Sequence, residues 1–163
     1  MKLATPAAVV VRPAEARDLP SILTIEEASF SDPWTADAFE SAFALQRMRL
    51  FVAEEHAEPG SSGAPAVVGY VVALLLGLEA EIADLAVSPQ GRRRGVGRAL
   101  LDHMLADLAA RGVSAVFLEV RESNSAARGL YQSRGFVSVG RRRGYYRHPA
   151  EDALILKRES APA

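Results

Sequence analysis

From Val67 to Leu76 the chain carries a nearly continuous apolar run, Val-Val-Gly-Tyr-Val-Val-Ala-Leu-Leu-Leu. It falls well short of the roughly 18 residues that a membrane-spanning helix requires. Its length and β-branched content suit a strand, and a strand apolar at nearly every position is a buried one. Signals for strands and helices alternate around it. Val9-Val10-Val11-Arg12, ended by Pro13, is a first strand. Leu19, Ile22, Leu23, Ile25 and Ala28 recur at roughly helical spacing over Asp18 to Phe30, and Ser31-Asp32-Pro33-Trp34 breaks that helix. Thr35 is the N-cap candidate for a short helix over Ala36 to Ala44. Leu50 to Ala53 is a strand, and Pro59-Gly60-Ser61-Ser62-Gly63 marks a surface loop. Glu81 to Val87 is the next strand, ended by Pro89.

A helix follows from Gly97 to Arg111, with Leu101, Met104, Leu105 and Leu108 in its apolar stripe and Gly112 as its stop. Val116 to Val120 is a strand. Ser125 to Arg134 is a helix with capping candidates Ser123 and Asn124, closed by Gly135. Phe136 to Val139, extending toward Arg143, and Ala153 to Leu156 are the last strands. The order β α α β β β α β α β β predicts one α/β domain in the 163 residues, with a core over about 9–158 and a frayed tail at 159–163.

The absence of cysteine excludes disulfides, thiolate metal sites and a cysteine acyl-enzyme. His56, His103 and His148 lie far apart without ligand spacing, so solvated roles and no metal site are expected. No Gly-x-Ser-x-Gly nucleophile motif is present. The N-terminal apolar stretch is too short for a signal-peptide core, so a cytoplasmic location without a membrane partner is expected. The net charge of −1 conceals an asymmetry: residues 1–90 hold 5 Lys/Arg and 13 Asp/Glu, and residues 91–163 hold 14 and 7. Two solvated surfaces are one account of this; a basic ligand site and an acidic one are the other.

Gly91-Arg92-Arg93-Arg94-Gly95-Val96-Gly97-Arg98 joins a strand to a helix. Gly95 and Gly97 leave backbone N–H groups uncovered, and the helix N-terminus adds the positive end of its dipole, as a pyrophosphate cradle requires. No Lys-Ser/Thr follows the last Gly, so it is not a Walker A loop, and the glycine spacing is not the dinucleotide fingerprint. A plain turn with exposed arginines remains open, as does RNA binding by the arginine run. Glu119 stands at the end of a strand, where a carboxylate can take a proton from an amine. Simple pairing with an arginine is the alternative. Tyr131 and Trp34 could equally be core aromatics, and Asn124 a helix cap.

The spacing Arg92-x-x-Gly95-x-Gly97, after a strand ending Asp84-Leu85-Ala86-Val87-Ser88-Pro89, resembles the acetyl-CoA signature of the GCN5-related N-acetyltransferases. The string Leu118-Glu119-Val120-Arg121, Ser123-Asn124, Leu130-Tyr131 and Gly135-Phe136 is similar to one branch of them, the RimI-type ribosomal-protein-S18-alanine N-acetyltransferases. Phe30-Ser31-Asp32-Pro33-Trp34 resembles that branch's Phe-Pro-Trp segment with Ser-Asp inserted. Arg142-Arg143-Gly144-Tyr145-Tyr146 resembles its Arg-Arg-Asn-Tyr-Tyr segment with Gly for Asn, and Glu151 to Leu156 resembles its closing strand. The resemblance spans about residues 9–158.

It implies a single domain with a central mixed, mostly antiparallel sheet of about seven strands flanked by about four helices. It implies acetyl-CoA as co-substrate. The backbone of Arg93, Arg94, Gly95, Val96, Gly97 and Arg98 would hold the CoA pyrophosphate. Leu85, Ala86 and Val87 would pair with the pantetheine arm like an added strand, with a bulge there aiming an N–H at the thioester oxygen. Asn124 would bond the pantetheine amides. Glu119 becomes the general base and Tyr131 the acid that protonates the leaving thiolate. An α-amino group titrates at about 7.7–8.0, and only its neutral form attacks a thioester, so both proton transfers matter. The implied acceptor is the N-terminal Ala of ribosomal protein S18 or a similar peptide, lying against Glu26, Glu27, Trp34, Tyr145 and Tyr146, with no direct nucleic-acid partner. Two rival readings are a small-amine acetyltransferase and a non-catalytic RNA- or ribosome-binding module built on Arg92–Arg94 and Arg141–Arg143.

Overall fold

The computed structural model describes residues 8–160 except Ser61 and Arg93. Arg93 of the glycine turn, and 161–163 of the expected frayed tail, lie outside the described residues. The elements run β1 (Ala8–Pro13), α1 (Leu19–Ser29), α2 (Ala36–Ala44), β2 (Met48–His56), β3 (Ala66–Leu76) and β4 (Glu79–Val87). Then come α3 (Val96–Ala110), β5 (Ala115–Arg121), α4 (Ser125–Ser133), β6 (Val137–Arg147) and β7 (Ala150–Glu159). The order matches the sequence reading. The seven strands form one sheet, β1-β2-β3-β4-β5-β7-β6. Every neighbouring pair is antiparallel except β4 and β5.

The apolar run is β3, in the middle of this sheet, with Val68 to Ala73 buried throughout. Its side chains alternate between two cores. Val71 and Ala73 join Phe51, Val116 and Leu118 against the stripe of α3, Leu100, Leu101, Met104 and Leu108. Tyr70 and Val72 join Val52 against Ile22 and Ile25 of α1 and Phe39 of α2. Gly69 lets α3 close on the sheet: a Cβ there would stand 2.9 Å from Leu100 Cδ1 and 3.0 Å from the Ala86 carbonyl oxygen. Thr35 caps α2 as expected, its Oγ1 accepting from the Ala38 N–H at 3.2 Å.

Two departures from the sequence reading shape the site. First, β6 runs to Arg147, past the expected end near Arg143. It is an edge strand exposed along most of its length, so burial leaves no alternation to read. Gly144, at φ +61, sits within its irregularity between Arg142 and Tyr146, and its N–H donates to Asp152 Oδ1 at 2.9 Å. Second, the bulge lies at Ala83, ahead of the expected Leu85–Val87 stretch. Val72 of β3 faces Asp84 whereas Ala73 faces Ile82, so Ala83 is the extra residue.

β4 and β5 pair only from Glu79 opposite Ala115 to Ile82 opposite Leu118. Beyond that point β4 keeps its partner β3, and β5 keeps β7. The two parallel strands therefore fork, and the backbone edge of residues 83–87 on the β5 side is left open.

Candidate active site

A cleft of about 450 Å³ opens at the fork. Eight of the residues singled out from sequence line it: Glu26, Trp34, Leu85, Glu119, Asn124, Tyr131, Tyr145 and Tyr146. Glu119 is the first β5 residue past the fork, paired in the sheet with Ile155. Its Oε1 accepts from Arg142 Nη1 at 2.6 Å, and the Arg142 guanidinium lies 4.7 Å from the Tyr145 ring centroid. Glu119 therefore pairs with an arginine, the alternative that the sequence left open, and it also stands in the cleft lining, where the base reading needs it. An incoming cation or amine has to displace Arg142 to reach it.

Tyr131 comes from α4 and is 7% exposed. Its ring packs edge-on against Phe136 at 5.6 Å. Burial first, then the neighbouring Asp84 and Tyr146, raises its hydroxyl pKa well above the ordinary tyrosine value. The group keeps its proton at neutral pH and has it available to donate. Asn124 caps α4, its Oδ1 accepting from the Ala127 N–H at 3.1 Å. Trp34 packs on Phe39 at 5.2 Å and contributes to one wall. Tyr145 and Tyr146 form another, their rings 5.0 Å apart at 85°. Arg121 stacks on Tyr146 at 4.2 Å.

The glycine turn stands outside the cleft lining. Gly95, in the left-handed region at φ +79, is the N-cap of α3, and no side chain caps that end. A Cβ on Gly97 would stand 3.5 Å from Leu130 Cδ2 and 3.7 Å from Val87 Cγ2, so the first turn of α3 abuts both the Leu85–Val87 strand and α4. Val96 is buried beneath it, and Arg98 is exposed. Ala86 faces away into the α1/α2 core. The Arg94 guanidinium is engaged elsewhere, donating to both oxygens of Glu55 at 2.8 and 2.9 Å and to the Gln90 carbonyl. Two arginines of β6 are also partnered. Arg141 bonds Glu122 and Asp152, and Arg142 bonds Glu119.

Glu26 and Asp84 of the cleft, with the buried Tyr70 behind them, were not singled out as a unit from sequence. Glu26 is 1% exposed and Asp84 9%. Glu26 Oε1 accepts the Trp34 N–H at 2.9 Å, and its Oε2 is hydrogen-bonded to the Tyr70 hydroxyl, which lies 3.3 Å from Asp84 Oδ2. Burial, then the Glu26 carboxylate, pushes Asp84 up to about 9. A signal was present: Glu26 falls at helical spacing after Ile22, on the core face of α1, and Asp84 interrupts an apolar strand. Glu27 is exposed and outside the lining. Glu81 joins the cleft, its pKa raised by burial and by Glu119. Five carboxyl groups line the cleft, from Glu26, Asp32, Glu81, Asp84 and Glu119, the Asp84 group as the neutral acid, beside the guanidinium of Arg121. Among the described residues no group of three or more His, Asp or Glu is arranged to hold a metal, and no helix is long and apolar enough to cross a membrane.

Known proteins are similar to this chain in sequence and fold. A [Ribosomal protein bS18]-alanine N-acetyltransferase of Escherichia coli strain K12 is 37% identical over 144 residues, 87% of this chain and 91% of that protein. The N-alpha-acetyltransferase RimI of Mycobacterium tuberculosis is 38% identical over 133 residues, covering 79% of this chain and 77% of its own. The crystal structure of the ribosomal-protein-S18-alanine N-acetyltransferase from Escherichia coli superposes with a TM-score of 0.82 over 96% of both chains at 33% identity. The sequence model of the acetyltransferase (GNAT) family matches residues 19–136, from the start of α1 through the glycine turn, Glu119 and Tyr131. The forked sheet, its open β4 edge and the uncapped helix beside it are therefore those of a GNAT acetyltransferase, the family to which this chain belongs.

Proposed function

We propose that this chain transfers the acetyl group of acetyl-CoA to the α-amino group of a protein N-terminus, with the N-terminal Ala of ribosomal protein bS18 as acceptor. The observation that carries the reading is the fork between β4 and β5, which opens into an acidic cleft holding a strand-borne carboxylate and a buried tyrosine. Acetyl-CoA is the donor used by this family. The relatives named for bS18-alanine acetylation align over most of both chains.

In this reading the backbone N–H groups from Arg93 to Arg98 take the CoA pyrophosphate at the positive end of α3. The Arg94 side chain stays on Glu55, so its part is played by its backbone. The pantetheine arm adds along the open edge of Leu85, Ala86 and Val87, with Asn124 on the facing side. The peptide enters between Trp34 and the pair Tyr145–Tyr146, and the carboxylate lining draws in its ammonium group and the basic residue that follows. Glu119, released from Arg142, accepts the ammonium proton. The neutral nitrogen attacks the thioester carbon, and a N–C bond forms. The C–S bond then breaks, the CoA sulfur leaves with the proton of Tyr131, and the second proton shed by the acylated nitrogen passes to Tyr131 and restores it.

The test is acetyl transfer from acetyl-CoA to a panel of synthetic peptides, with Ala-Arg starts, other first residues, and an α-blocked Ala-Arg control carrying an internal lysine. The expected product is α-N-acetylated and confined to free Ala starts. Modification of the blocked control, or of small amines in preference to peptides, overturns the reading.

A further inference from the structure

The buried contacts among Glu26, Tyr70 and Asp84 take no part in the steps above, yet they reach the acceptor wall. Glu26 holds the backbone N–H of Trp34 at 2.9 Å, which fixes the chain where it leaves α1 and turns into the cleft. The second Glu26 oxygen meets the Tyr70 hydroxyl, and the same hydroxyl lies 3.3 Å from Asp84. A tyrosine hydroxyl has one proton to give. If it serves Glu26, the Asp84 contact is a hydrogen bond only when Asp84 is the donor, as a carboxylic acid. The four groups then form one directional chain: Asp84 O–H to the Tyr70 oxygen, Tyr70 O–H to the Glu26 carboxylate, and Trp34 N–H to the same carboxylate.

We propose that Asp84 is a positioning residue for the transfer, whose carboxyl proton completes this chain and so holds the Trp34 wall of the acceptor cleft in its working place. The proposal rests on the acceptor reading above, because Trp34 is taken there as a wall for the peptide. Removing the proton leaves two carboxylates to share one Tyr70 hydroxyl proton in a buried site, and like charges there repel. Glu26 then loses its hold on Tyr70 or on Trp34, and the wall slackens.

Asp84 faces Glu26 from α1, Tyr70 from β3 and Tyr131 from α4. Glu81 of its own strand, Glu119 of β5 and Tyr145 and Tyr146 of β6 line the same cleft. Burial carries Tyr146 up to about 12 and Tyr131 higher still, so neither changes charge near the alkaline step of Asp84 at about 9.

Trp34 is the only tryptophan of the chain, so its emission reports on the wall directly and needs no acceptor. In the wild-type protein, Trp34 emission is expected to shift with a midpoint at about pH 9. The acceptor KM should rise about tenfold by pH 10, as the singly protonated population falls, while the acetyl-CoA KM stays unchanged. Asp84→Asn keeps a donor for Tyr70 and has no proton to lose. It should retain wild-type emission at neutral pH and show no alkaline step in emission or in acceptor KM. Tyr70→Phe breaks the chain at every pH and should show the shifted emission and the raised acceptor KM already at pH 7. An alkaline emission step that persists in Asp84→Asn, or is missing from the wild type, overturns the proposal. So does a KM rise shared equally by acceptor and donor. If no peptide is acetylated, the acceptor reading falls, and the emission titrations still decide whether the Asp84 proton sets the wall.

Discussion

Glu119 and Tyr131 occupy the same cleft and face opposite demands. Glu119 is half-buried and tied to an exposed arginine that substrate can displace, as a base must be. Tyr131 is sunk in the core and holds its proton, as an acid for a leaving thiolate must. Glu119→Gln and Tyr131→Phe are each expected to lower kcat by about 10²- to 10⁴-fold, while acetyl-CoA affinity measured by calorimetry stays within a few-fold of the wild type. Near-normal kcat in both variants would remove these assignments. Asp84 carries a stability signature of its own. It binds its proton more tightly folded than unfolded, because burial penalises the ion. The stability it lends is full below the ordinary carboxylate range and is lost as pH rises through about 9. Thermal melts of Asp84→Asn against wild type should therefore move in the variant's favour between pH 6 and pH 9, by up to about 1.4 kcal/mol per pH unit. A pH-independent difference would contradict the buried acid. Glu119, Tyr131 and Asn124 were legible because their types stand in one short string. The Asp84–Tyr70–Glu26 contacts were not, because they join three elements far apart in sequence, and only packing brings them together.

The elements that build the site do so by what they leave undone. β4 and β5 stop pairing after Ile82 and Leu118, and α3 starts without a side-chain cap. The glycine turn shows why two glycines in one motif are not equivalent. Gly95 adopts φ +79, a backbone that costs an L-residue roughly 1–2 kcal/mol, although nothing stands within 4 Å of a Cβ there. A Cβ on Gly97 would make only ordinary contacts of 3.5 Å and more. Gly95→Ala should lower stability by about 1 kcal/mol and raise the acetyl-CoA KM. Gly97→Ala should leave stability nearly unchanged in a urea melt, and equal losses in the two variants would contradict this account. The spacing of apolar residues predicted every strand and helix in order, because each buries one face or two. It missed the length of β6, whose side chains are mostly exposed and carry no periodic burial, and the bulge that the resemblance set at Leu85–Val87 lies at Ala83 by pairing with β3.

Across the whole molecule, the acidic front and the basic back each carry their own ion pairs, and among the described residues two pairs join them, in opposite senses. Arg94 reaches Glu55, and Arg49 reaches Asp107. Arg141 and Arg142, which the sequence left without a role, are held by Glu122, Asp152 and Glu119. A ribosome- or RNA-binding reading built on those arginines would have to break these pairs. The acidity that survives is gathered in the cleft, lined by the carboxylates of Glu26, Asp32 and Glu81 beside Glu119, which Arg142 holds, and the guanidinium of Arg121. Charge counting alone could not locate it, since it depends on which acids the fold leaves without cations. Raising salt from 0.05 to 0.5 M should accordingly raise the KM of an Ala-Arg peptide several-fold more than that of an Ala-Ala peptide, as screening shortens the reach of those charges to about 4–14 Å. Equal salt dependence would dissociate the acidic lining from acceptor recognition. The most direct measurement is the intact mass and fragment map of unacetylated bS18 incubated with acetyl-CoA and this protein. A single acetyl group on the α-nitrogen of its N-terminal Ala is predicted, formed rapidly by the wild type and at least about 100-fold more slowly by Glu119→Gln. An unmodified N-terminus with the wild type, or an acetyl group on lysine alone, would contradict the account.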